Sequence, residues 1–402
     1  MAATQSRPAK RISRKIKMSI MNNTEFGLTE EQKMIRKNVL PMLAKVMPSQ
    51  KIRELDEAYE FPFEAYQALA DGGWLGLPYE ALYGGAEASW KDFTVFVETV
   101  AYHNAQLASA WLTTVVYGGM QVKHGGSEAL KQEILPGLIK GDIRLALCLT
   151  EPETGSDVAS IKTQAKEDGD CYVISGQKVY ITCAHVADHL VVAAKTDPKA
   201  GHKGITLFLV DAKSPGITIR PLKGLGRRMI HTNEVFFDAV RVPKSRMLGE
   251  LNGGWKALMR GLNYERLSLA AAACGNMARI IDYAAQYAKD RVQFGEPISK
   301  FQAVSHKFAD MQIMAESSRS LLYRVADMLD AGENPTMHTS MLKVLACENN
   351  VRCADMGMQI MGGAGYMNDH EMQMYYRDSR VGPIGGGTSE IMRTVIAKQM
   401  GL

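Results

Sequence analysis

A polar segment at Leu147–Val158, with the sequence LCLTEPETGSDV, has residues suited to binding a ligand. Pro152 and Gly155 predict a loop there, and such a loop can direct backbone N–H groups towards an electronegative ligand. The same composition is equally typical of a loop that only connects two elements. The segment by itself therefore leaves both interpretations open.

Two histidines four residues apart, His185 and His189, come nearest to a metal-binding motif. The surrounding sequence favours strand and loop, and it lacks the H-E-x-x-H pattern that places two histidines on one helix face. We therefore expect no metal site. The chain also has no G-x-G-x-x-G after a strand and no G-x-x-x-x-G-K-[ST], so these two nucleotide-binding loops are not expected.

The chain of 402 residues is 46% hydrophobic and 22% charged, which predicts two or three domains with a large core. Lysine and arginine number 47 against 43 acidic residues, but six of the basic residues precede the first acid, Glu25. The rest of the chain is close to neutral, so we expect no binding to nucleic acid. The 24 methionines are scattered at helical spacing, which is typical of core residues.

The basic N-terminal residues 1–27 lack the apolar stretch of a secretory signal. Their composition fits a flexible tail or a later start at Met18 or Met21, and it leaves a mitochondrial presequence, with a matrix location, as the alternative. Six cysteines without a C-x-x-C pair indicate reduced thiols. No apolar run approaches membrane-spanning length, so we expect a cytoplasmic protein without membrane contact.

The hydrophobic periodicity of the sequence changes twice along the chain. It predicts a helical region, a strand-rich region and a second helical region, so the predicted fold class is α+β. Residues 28–143 show helical periodicity, and Thr29 with Gln32 forms a capping box at the start of the first helix. The predicted helices are Glu30–Leu40, Pro62–Ala70, Trp90–His103, Ala105–His124 and Ser127–Ile139.

Residues 144–250 form the second region, which shifts towards the period of two that is typical of strands. Short strands without long helices between them favour an antiparallel barrel or sandwich, with a tight hairpin turn at Ser175–Gly176. The predicted strands are Tyr172–Ile174, Lys178–Thr182, His189–Ala194, Ile205–Val210, Ile217–Pro221 and Glu234–Val242.

Residues 251–402 form the third region, where widely spaced prolines leave room for long helices. These helices and their short connections predict an antiparallel four-helix bundle, with Gly332 ending the second helix. The predicted helices are Gly254–Asp290, Lys300–Ala331, Thr336–Met361 and Ser389–Lys398.

Six short motifs follow one another in a characteristic order and spacing. They are T-E-P-x-x-G-S-D (Thr150–Asp157), G-x-K-x-Y-I-T (Gly176–Thr182), Y-x-x-x-R-x-Q-F-G (Tyr287–Gly295), Q-I-M-G-G-A-G (Gln359–Gly365), R-D (Arg377, Asp378) and G-T-S-E-I (Gly387–Ile391). On these motifs the chain resembles the acyl-CoA dehydrogenase family from about residue 28 to its C-terminus. The resemblance implies the same three domains, bound FAD and a homotetramer.

The resemblance also implies two sets of FAD contacts. The isoalloxazine ring would contact Leu149, Thr150, Gly155, Ser156, Tyr180 and Thr182, where an aromatic side chain suits a planar ring. The pyrophosphate and adenosine would contact Arg291, Gln293, Phe294, Gln302, Gln359, Gly362 and Gly363, partly from a neighbouring subunit, with further contacts from Thr388 and Ser389. Arginine is a natural donor to a diphosphate, and paired glycines permit close backbone approach.

The catalytic base departs from the commonest family pattern, which places a glutamate where this chain has Gly386. Isovaleryl-CoA and long-chain acyl-CoA dehydrogenases instead carry it in a [DN]-x-E-R motif, and Asn263–Arg266 reads N-Y-E-R. The resemblance therefore implies that Glu265 is the base. The alternative is that Glu265 is an ordinary glutamate on a helix face.

The remaining implied contacts concern the thioester and CoA. The backbone N–H of Gly386 would donate to the thioester carbonyl together with a flavin ribityl hydroxyl, and Arg266 would bind CoA. Ser156, Asn263 and Gly387 complete the implied substrate contacts. Asparagine at 263 replaces the commoner aspartate, which puts its contact with the pantetheine arm in question.

The implied reaction is α,β-dehydrogenation of an acyl-CoA to a trans-2-enoyl-CoA, with electrons passed to an electron-transfer flavoprotein. The alternatives are a flavin oxidase, monooxygenase or desulfinase of the same fold, or a non-catalytic, nucleic-acid-associated member. Gly385 and Gly386 predict space near the thioester for a branched or long acyl group. Ala108 and Leu112 align with an apolar pocket floor, while Trp111 fits either that floor or the core equally well.

Overall fold

The computed structural model describes residue 25 and residues 27–402, so the expected basic tail lies almost wholly outside the described residues. The N-terminal region is helical. Its helices are α1 (Glu30–Val46), α2 (Ser49–Ala58), α3 (Phe63–Asp71), α4 (Trp90–His103), α5 (Ala105–Leu112), α6 (Met120–Gly125) and α7 (Glu128–Ile139), with a π-helical segment at Thr113–Gly119 between α5 and α6.

The predicted capping box at the start of α1 is confirmed. The Gln32 N–H donates to Thr29 Oγ1 over 3.3 Å, and the Thr29 N–H donates to Gln32 Oε1 over 3.1 Å. The helix is longer than predicted and continues through Pro41, because Val39 and Leu43 on either side are fully buried. Tertiary burial thus outweighs the hydrogen bond that proline removes.

The second region is one mainly antiparallel sheet of eight strands. They are β1 (Leu145–Cys148), β2 (Gln164–Asp168), β3 (Cys171–Thr182), β4 (His189–Lys195), β5 (Ile205–Asp211), β6 (Ile217–Leu222), β7 (Thr232–Pro243) and β8 (Met247–Leu248). The strand order is β6-β7-β3-β2-β4-β5-β8, and β1 pairs with β4 in parallel.

The predicted hairpin turn at Ser175–Gly176 is wrong, since β3 runs through both residues and pairs with β7 on each side of them. The hairpin lies earlier, where β2 and β3 pair from Asp168 and Cys171 outwards. Gly176 instead permits a close approach, because a Cβ there would lie 2.5 Å from Thr163 Oγ1. The glycine that suggested a turn therefore marks a bulge, where the register shifts.

The third region is the predicted bundle. Its elements are α8 (Gly254–Asp290), a small hairpin of β9 (Val292–Gln293) and β10 (Glu296–Pro297), α9 (Gln302–Asp330), α10 (Thr336–Met361), α11 (Gly363–Tyr366), α12 (Met372–Ser379) and α13 (Ser389–Gln399). The bounds of α8 and α10 are as predicted. The helix α9 begins two residues later than predicted, after a 3₁₀ turn at Ile298–Lys300, and ends one residue earlier. Gly332, with φ of +76°, follows α9 as expected.

The three regions meet at shared buried contacts. The helix α8 packs against α4 so closely that a Cβ on Gly275 would lie 2.1 Å from the Glu98 carbonyl oxygen. The Asp56 carboxylate on α2 accepts hydrogen bonds from Gln106 (2.8 Å) and from Arg377 on α12 (2.6 Å), and it lies 3.8 Å from Arg228, which follows β6. None of the helices in the described part of the chain combines the length and apolar character needed to span a bilayer.

Candidate active site

The Glu265 carboxylate on α8 faces the loop that precedes α13. A Cβ added to Gly386 in that loop would lie 3.3 Å from Glu265 Oε1. The carboxylate therefore reaches the place where a side chain at position 386 would begin. The helix α8 and the glycine loop thus bring positions 265 and 386 to the same place in the fold.

Burial raises the pKa of Glu265 from its ordinary value of 4.5 to about 7, while the cations of Arg266 and Lys343 oppose the increase. Desolvation disfavours the charged carboxylate, and the nearby cations only partly compensate for it. A carboxylate with a pKa near 7 can accept a proton at neutral pH and bind it firmly, which is the range that suits a general base.

The space predicted beside Gly386 is not there, so that expectation is wrong. A Cβ on Gly386 would lie 2.4 Å from Leu269 Cδ1, and Leu269 projects from α8 one turn after Glu265. Gly385 is more open, with its nearest contact the Val381 carbonyl oxygen at 3.7 Å. Gly386 and Gly387 have φ of +66° and +88°, a conformation that other residues adopt only at a cost.

Lys343 was not predicted as a site residue, yet it lies at the centre of this arrangement. Its fully buried side chain projects from α10, and Nζ donates to the Gly387 carbonyl oxygen over 2.6 Å. The signal in the sequence was a lone charged residue in the apolar run Met341–Ala346. Its partner lies 44 residues further along the chain, so periodicity could not identify it.

The predicted flavin segments come together in the sheet region. The Val179 N–H donates to the Thr150 carbonyl oxygen over 2.9 Å, and buried Lys178 donates to the Leu149 carbonyl oxygen over 3.0 Å. Lys178 also forms a buried ion pair with Glu151 at 2.8 Å. Gly155 and Ser156 are exposed, and a Cβ on Gly155 would meet nothing within 4 Å.

Tyr180 stands out from the sheet because of a β-bulge. The register of β3 against β7 shifts between Lys178 and Ile181, and Tyr180 has a φ of +60°, which is rare for an aromatic residue. The bulge turns the ring outwards and leaves it 66% exposed, next to partly buried Thr182. A bulge that directs one side chain outwards is typical of a binding site.

The residues predicted to contact the rest of FAD lie on other elements. Arg291 lies between α8 and β9, and Gln293 and Phe294 lie in the β9–β10 hairpin. The turn residues Phe294 and Gly295 have φ of +54° and +86°. Phe294 is 96% exposed, with the Phe301 ring edge-on at 6.1 Å. Gln302 begins α9 and is exposed.

The C-terminal end of α10 carries a second exposed group. Gln359 is exposed, and added Cβ atoms on Gly362 and Gly363 would meet nothing within 4 Å. Thr388 caps α13 by accepting from the Ile391 N–H over 3.2 Å, and Ser389, the first residue of α13, is buried. The open glycines at 362 and 363 leave room for a ligand.

The side chains implied to contact CoA differ in whether they already have hydrogen-bond partners within the chain. Arg266 is 6% exposed, and its Nε has no hydrogen-bond partner among the described residues. Burial lowers the pKa of this guanidinium, and Glu265 opposes the decrease. Asn263 instead donates to Asn334 (3.1 Å) and Thr336 (3.3 Å), so it is engaged within the chain.

Three candidate pocket residues belong to the core in this structure. Trp111 is fully buried, donates to the Trp74 carbonyl oxygen over 3.2 Å and packs against Phe93 and Phe96. Ala108 and Leu112 are each 1% exposed. The core interpretation of Trp111 is therefore the one that the packing supports.

The structure places His185 beside another histidine, His231. The His185 ring packs edge-on against His231 at 4.5 Å, and burial lowers the pKa of His185 to about 4. Within the described part of the chain, no three His, Cys, Asp or Glu side chains are grouped to hold a metal ion.

Comparison with known proteins identifies the family. The N-terminal, middle and C-terminal domain models of acyl-CoA dehydrogenase match residues 29–142, 146–240 and 252–401. The chain belongs to the acyl-CoA dehydrogenase family. It is therefore a flavoprotein oxidoreductase whose cofactor is FAD.

Several relatives match over almost their whole length. An acyl-CoA dehydrogenase of Bacillus subtilis is 35% identical, over 93% of this chain and 98% of the relative. The CarC subunit of a caffeyl-CoA reductase–Etf complex from Acetobacterium woodii is 35% identical, over 92% of this chain and 98% of the relative. The solved structure of an acyl-CoA dehydrogenase from Geobacillus kaustophilus has a TM-score of 0.90 at 34% identity, covering 94% and 100% of the two chains.

Proposed function

We propose that this chain dehydrogenates an acyl-CoA thioester between its α and β carbons, with Glu265 as the base that removes the α-proton. The observation that carries the proposal is the position of the Glu265 carboxylate, 3.3 Å from where a side chain at Gly386 would begin. Most of the family places its glutamate at the position of Gly386. A carboxylate from α8 thus stands in for one from the loop.

The chemistry of the chain's own residues follows from this site. An α-proton beside a carbonyl is weakly acidic, so the base needs a pKa near the working pH, as burial gives Glu265. The developing enolate oxygen needs a donor, which the Gly386 N–H would supply. A well-placed donor of this kind contributes about 3–4 kcal/mol. Bound FAD supplies the acceptor for the β-hydrogen, which leaves as hydride.

The proposed FAD contacts fit what the described residues offer. The exposed Tyr180 ring provides an aromatic face, and Leu149 and Thr150 accept hydrogen bonds from Lys178 and Val179 in the part of β3 that also carries Thr182. Exposed Arg291 has no ion-pair partner among the described residues, so its guanidinium is available for a diphosphate. Phe294 exposes its aromatic ring to solvent, which supports contact with a second copy of the chain and hence the proposed homotetramer.

The proposed substrate contacts centre on Arg266, whose unpartnered Nε supports a role in binding CoA. Ser156 and Gly387 complete the proposed contacts, while Asn263 would have to exchange a present partner for the pantetheine arm. The electron acceptor that we propose is an electron-transfer flavoprotein. The relative from Acetobacterium woodii, a subunit of a reductase–Etf complex, supports this partner.

The experiment is anaerobic reduction of the purified yellow protein with a panel of acyl-CoA thioesters of different length and branching. We expect flavin bleaching with at least one thioester, and slowing by about 10²–10⁴-fold in Glu265→Gln. The matched control is Glu54→Gln, since Glu54 is an exposed glutamate on α2.

Three results would overturn parts of the proposal. A colourless protein that cannot be reconstituted with FAD would contradict the cofactor assignment. Undiminished flavin reduction in Glu265→Gln would make Glu265 a helix-face residue. Rapid turnover with oxygen and none with ferricenium would favour the oxidase alternative. Oxidation of the reduced flavin by 2-enoyl-CoA thioesters measures the reverse direction, which the name of the Acetobacterium relative describes.

A further inference from the structure

The Lys343 ammonium makes the one side-chain hydrogen bond to the backbone of residues 385–387 within the described part of the chain. Its Nζ lies 2.6 Å from the Gly387 carbonyl oxygen, and the side chain is fully buried. A buried lysine must be paired or hydrogen-bonded to offset the loss of hydration. Here the compensating partner is the loop that faces Glu265.

This loop has unusual freedom, because three successive glycines lose more conformational entropy on ordering than any other residues would. Its other restraints lie at its two ends. The Gly385 N–H donates to the Val381 carbonyl oxygen (2.9 Å), and the Ser389 N–H donates to the Pro383 carbonyl oxygen (3.0 Å). The hydrogen bond from Lys343 restrains the middle, directly after Gly386.

The same ammonium acts on Glu265 electrostatically. Lys343 opposes the effect of burial on the pKa of Glu265, and Glu265 in turn opposes the decrease that burial causes in the pKa of Lys343. The other ionisable groups facing this pair are Arg266 on α8, Tyr117 on the π-helical segment, Cys347 on α10 and Glu390 on α13. Among these groups, Lys343 alone contacts the glycine loop and also influences the carboxylate.

We propose that Lys343 is a positioning residue, which fixes the Gly386 N–H through the Gly387 carbonyl and keeps Glu265 able to accept a proton near neutral pH. The inference rests on the proposed function, since it concerns the same base and the same backbone donor. It assigns two effects to one side chain, and these effects have separate readouts.

The test compares the Lys343→Met and parent holoenzymes in anaerobic flavin reduction by the best acyl-CoA, across pH 5.5 to 9. We expect the rate constant to fall by about 10²-fold because the donor is misplaced, with a smaller change in the Kd of the thioester. We also expect the acid limb of the pH profile to move to higher pH, because the pKa of Glu265 rises when the nearby cation of Lys343 is removed. Lys343→Arg, which keeps charge and donors, should restore the acid limb.

Lys195→Met is the matched control, because Lys195 is a buried lysine that also donates to backbone carbonyls, those of Ala159 and Gly201 in the sheet region. Its acid limb should match the parent. If Lys343→Met gives no folded holoenzyme, Lys343→Gln keeps a donor without the charge and tests the acid limb. A Lys343 variant with parental rate and parental acid limb overturns the proposal, as does a slower variant whose acid limb is unmoved.

Thermal unfolding against pH separates this inference from the proposed function, because it needs no substrate. Ionisation of Glu265 should lower the stability of the fold between pH 5 and 8, and this loss should be larger in Lys343→Met than in the parent. Adding Glu265→Gln to both proteins should abolish the difference between them. If no thioester reduces the parent flavin, the proposed function fails while this coupling is still measured. If the parent is reduced but the coupling is absent, only the Lys343 proposal fails.

Discussion

Glu265 Oε1 lies 3.3 Å from the point where a Cβ on Gly386 would stand, although the two residues are 121 positions apart in the sequence. Glu265 belongs to the first third of a long helix and Gly386 to a glycine loop. The relationship explains how a chain with glycine at 386 can still present a carboxylate at that site. It also makes the two positions interdependent.

Glu265 should make the stability of the fold depend on pH. Its pKa in the folded chain, about 7, exceeds the ordinary 4.5, so the folded state binds this proton more tightly and loses stability as the pH rises towards 7. We expect Glu265→Gln to be more stable than the parent by about 2–3 kcal/mol at pH 8, and about equal near pH 4.5. Thermal unfolding at both pH values tests this, and equal differences at both would contradict it.

Moving the carboxylate to the loop should require removal of Leu269. In Glu265→Gln, adding Gly386→Glu places a Cβ 2.4 Å from Leu269 Cδ1 at a φ of +66°, so we expect no recovery of flavin reduction. Adding Leu269→Ala to Glu265→Gln/Gly386→Glu should raise the rate of flavin reduction at least tenfold, which is a small part of the general-base contribution. Glu265→Gln/Leu269→Ala is the control without a carboxylate. Full rescue by Gly386→Glu alone would show that Leu269 moves aside freely.

Arg291→Ala should weaken retention of FAD, because a diphosphate would lose its guanidinium partner. The measurement is the ratio of FAD to protein after extended dialysis, with Arg352→Ala on α10 as the control because Arg352 is also exposed. If Arg291 acts across a subunit boundary, light scattering should show weaker assembly in the same variant. FAD retention equal to that of Arg352→Ala would contradict the assignment.

Lys178→Met should destabilise the sheet region, because it leaves buried Glu151 without its cation. Breaking a buried pair of this kind costs about 3–5 kcal/mol, whereas replacing both partners costs much less. We therefore expect Glu151→Gln/Lys178→Met to be more stable than Lys178→Met in urea unfolding. Arg241→Met breaks an exposed pair with Asp168 in the same region and should cost about 1 kcal/mol or less. Equal costs for the two single variants would refute the prediction.

The sequence predicted the bundle well because each long helix has local boundaries. Pro335 precedes α10 and Gly362 ends it, and both are visible in the sequence. The helix α2 was missed because Pro48 precedes it without a side-chain cap and half of its residues are charged. The π-helical segment was missed because an apolar run gives no sign that the helix widens at Thr113.

The candidate site was predictable only where motifs mark it. The N-Y-E-R stretch predicts Glu265 as a site residue, but nothing local indicates that Leu269 fills the space beside Gly386. The contact of Lys343 with Gly387 likewise depends on how α10 and the loop meet. The outward turn of Tyr180 depends on a register shift between two strands, which the composition of either strand alone does not contain.

Asp56 belongs to the helical N-terminal region, yet its carboxylate binds Arg377 of the bundle and lies 3.8 Å from Arg228 of the sheet region. Unfolding of any one region would therefore separate Asp56 from at least one of its two arginines, and it would expose the buried Asp56 carboxylate. A calorimetric scan should accordingly record a single heat-absorption peak for the whole chain. Any one region expressed as an isolated fragment should lack the protease resistance that it has within the intact protein.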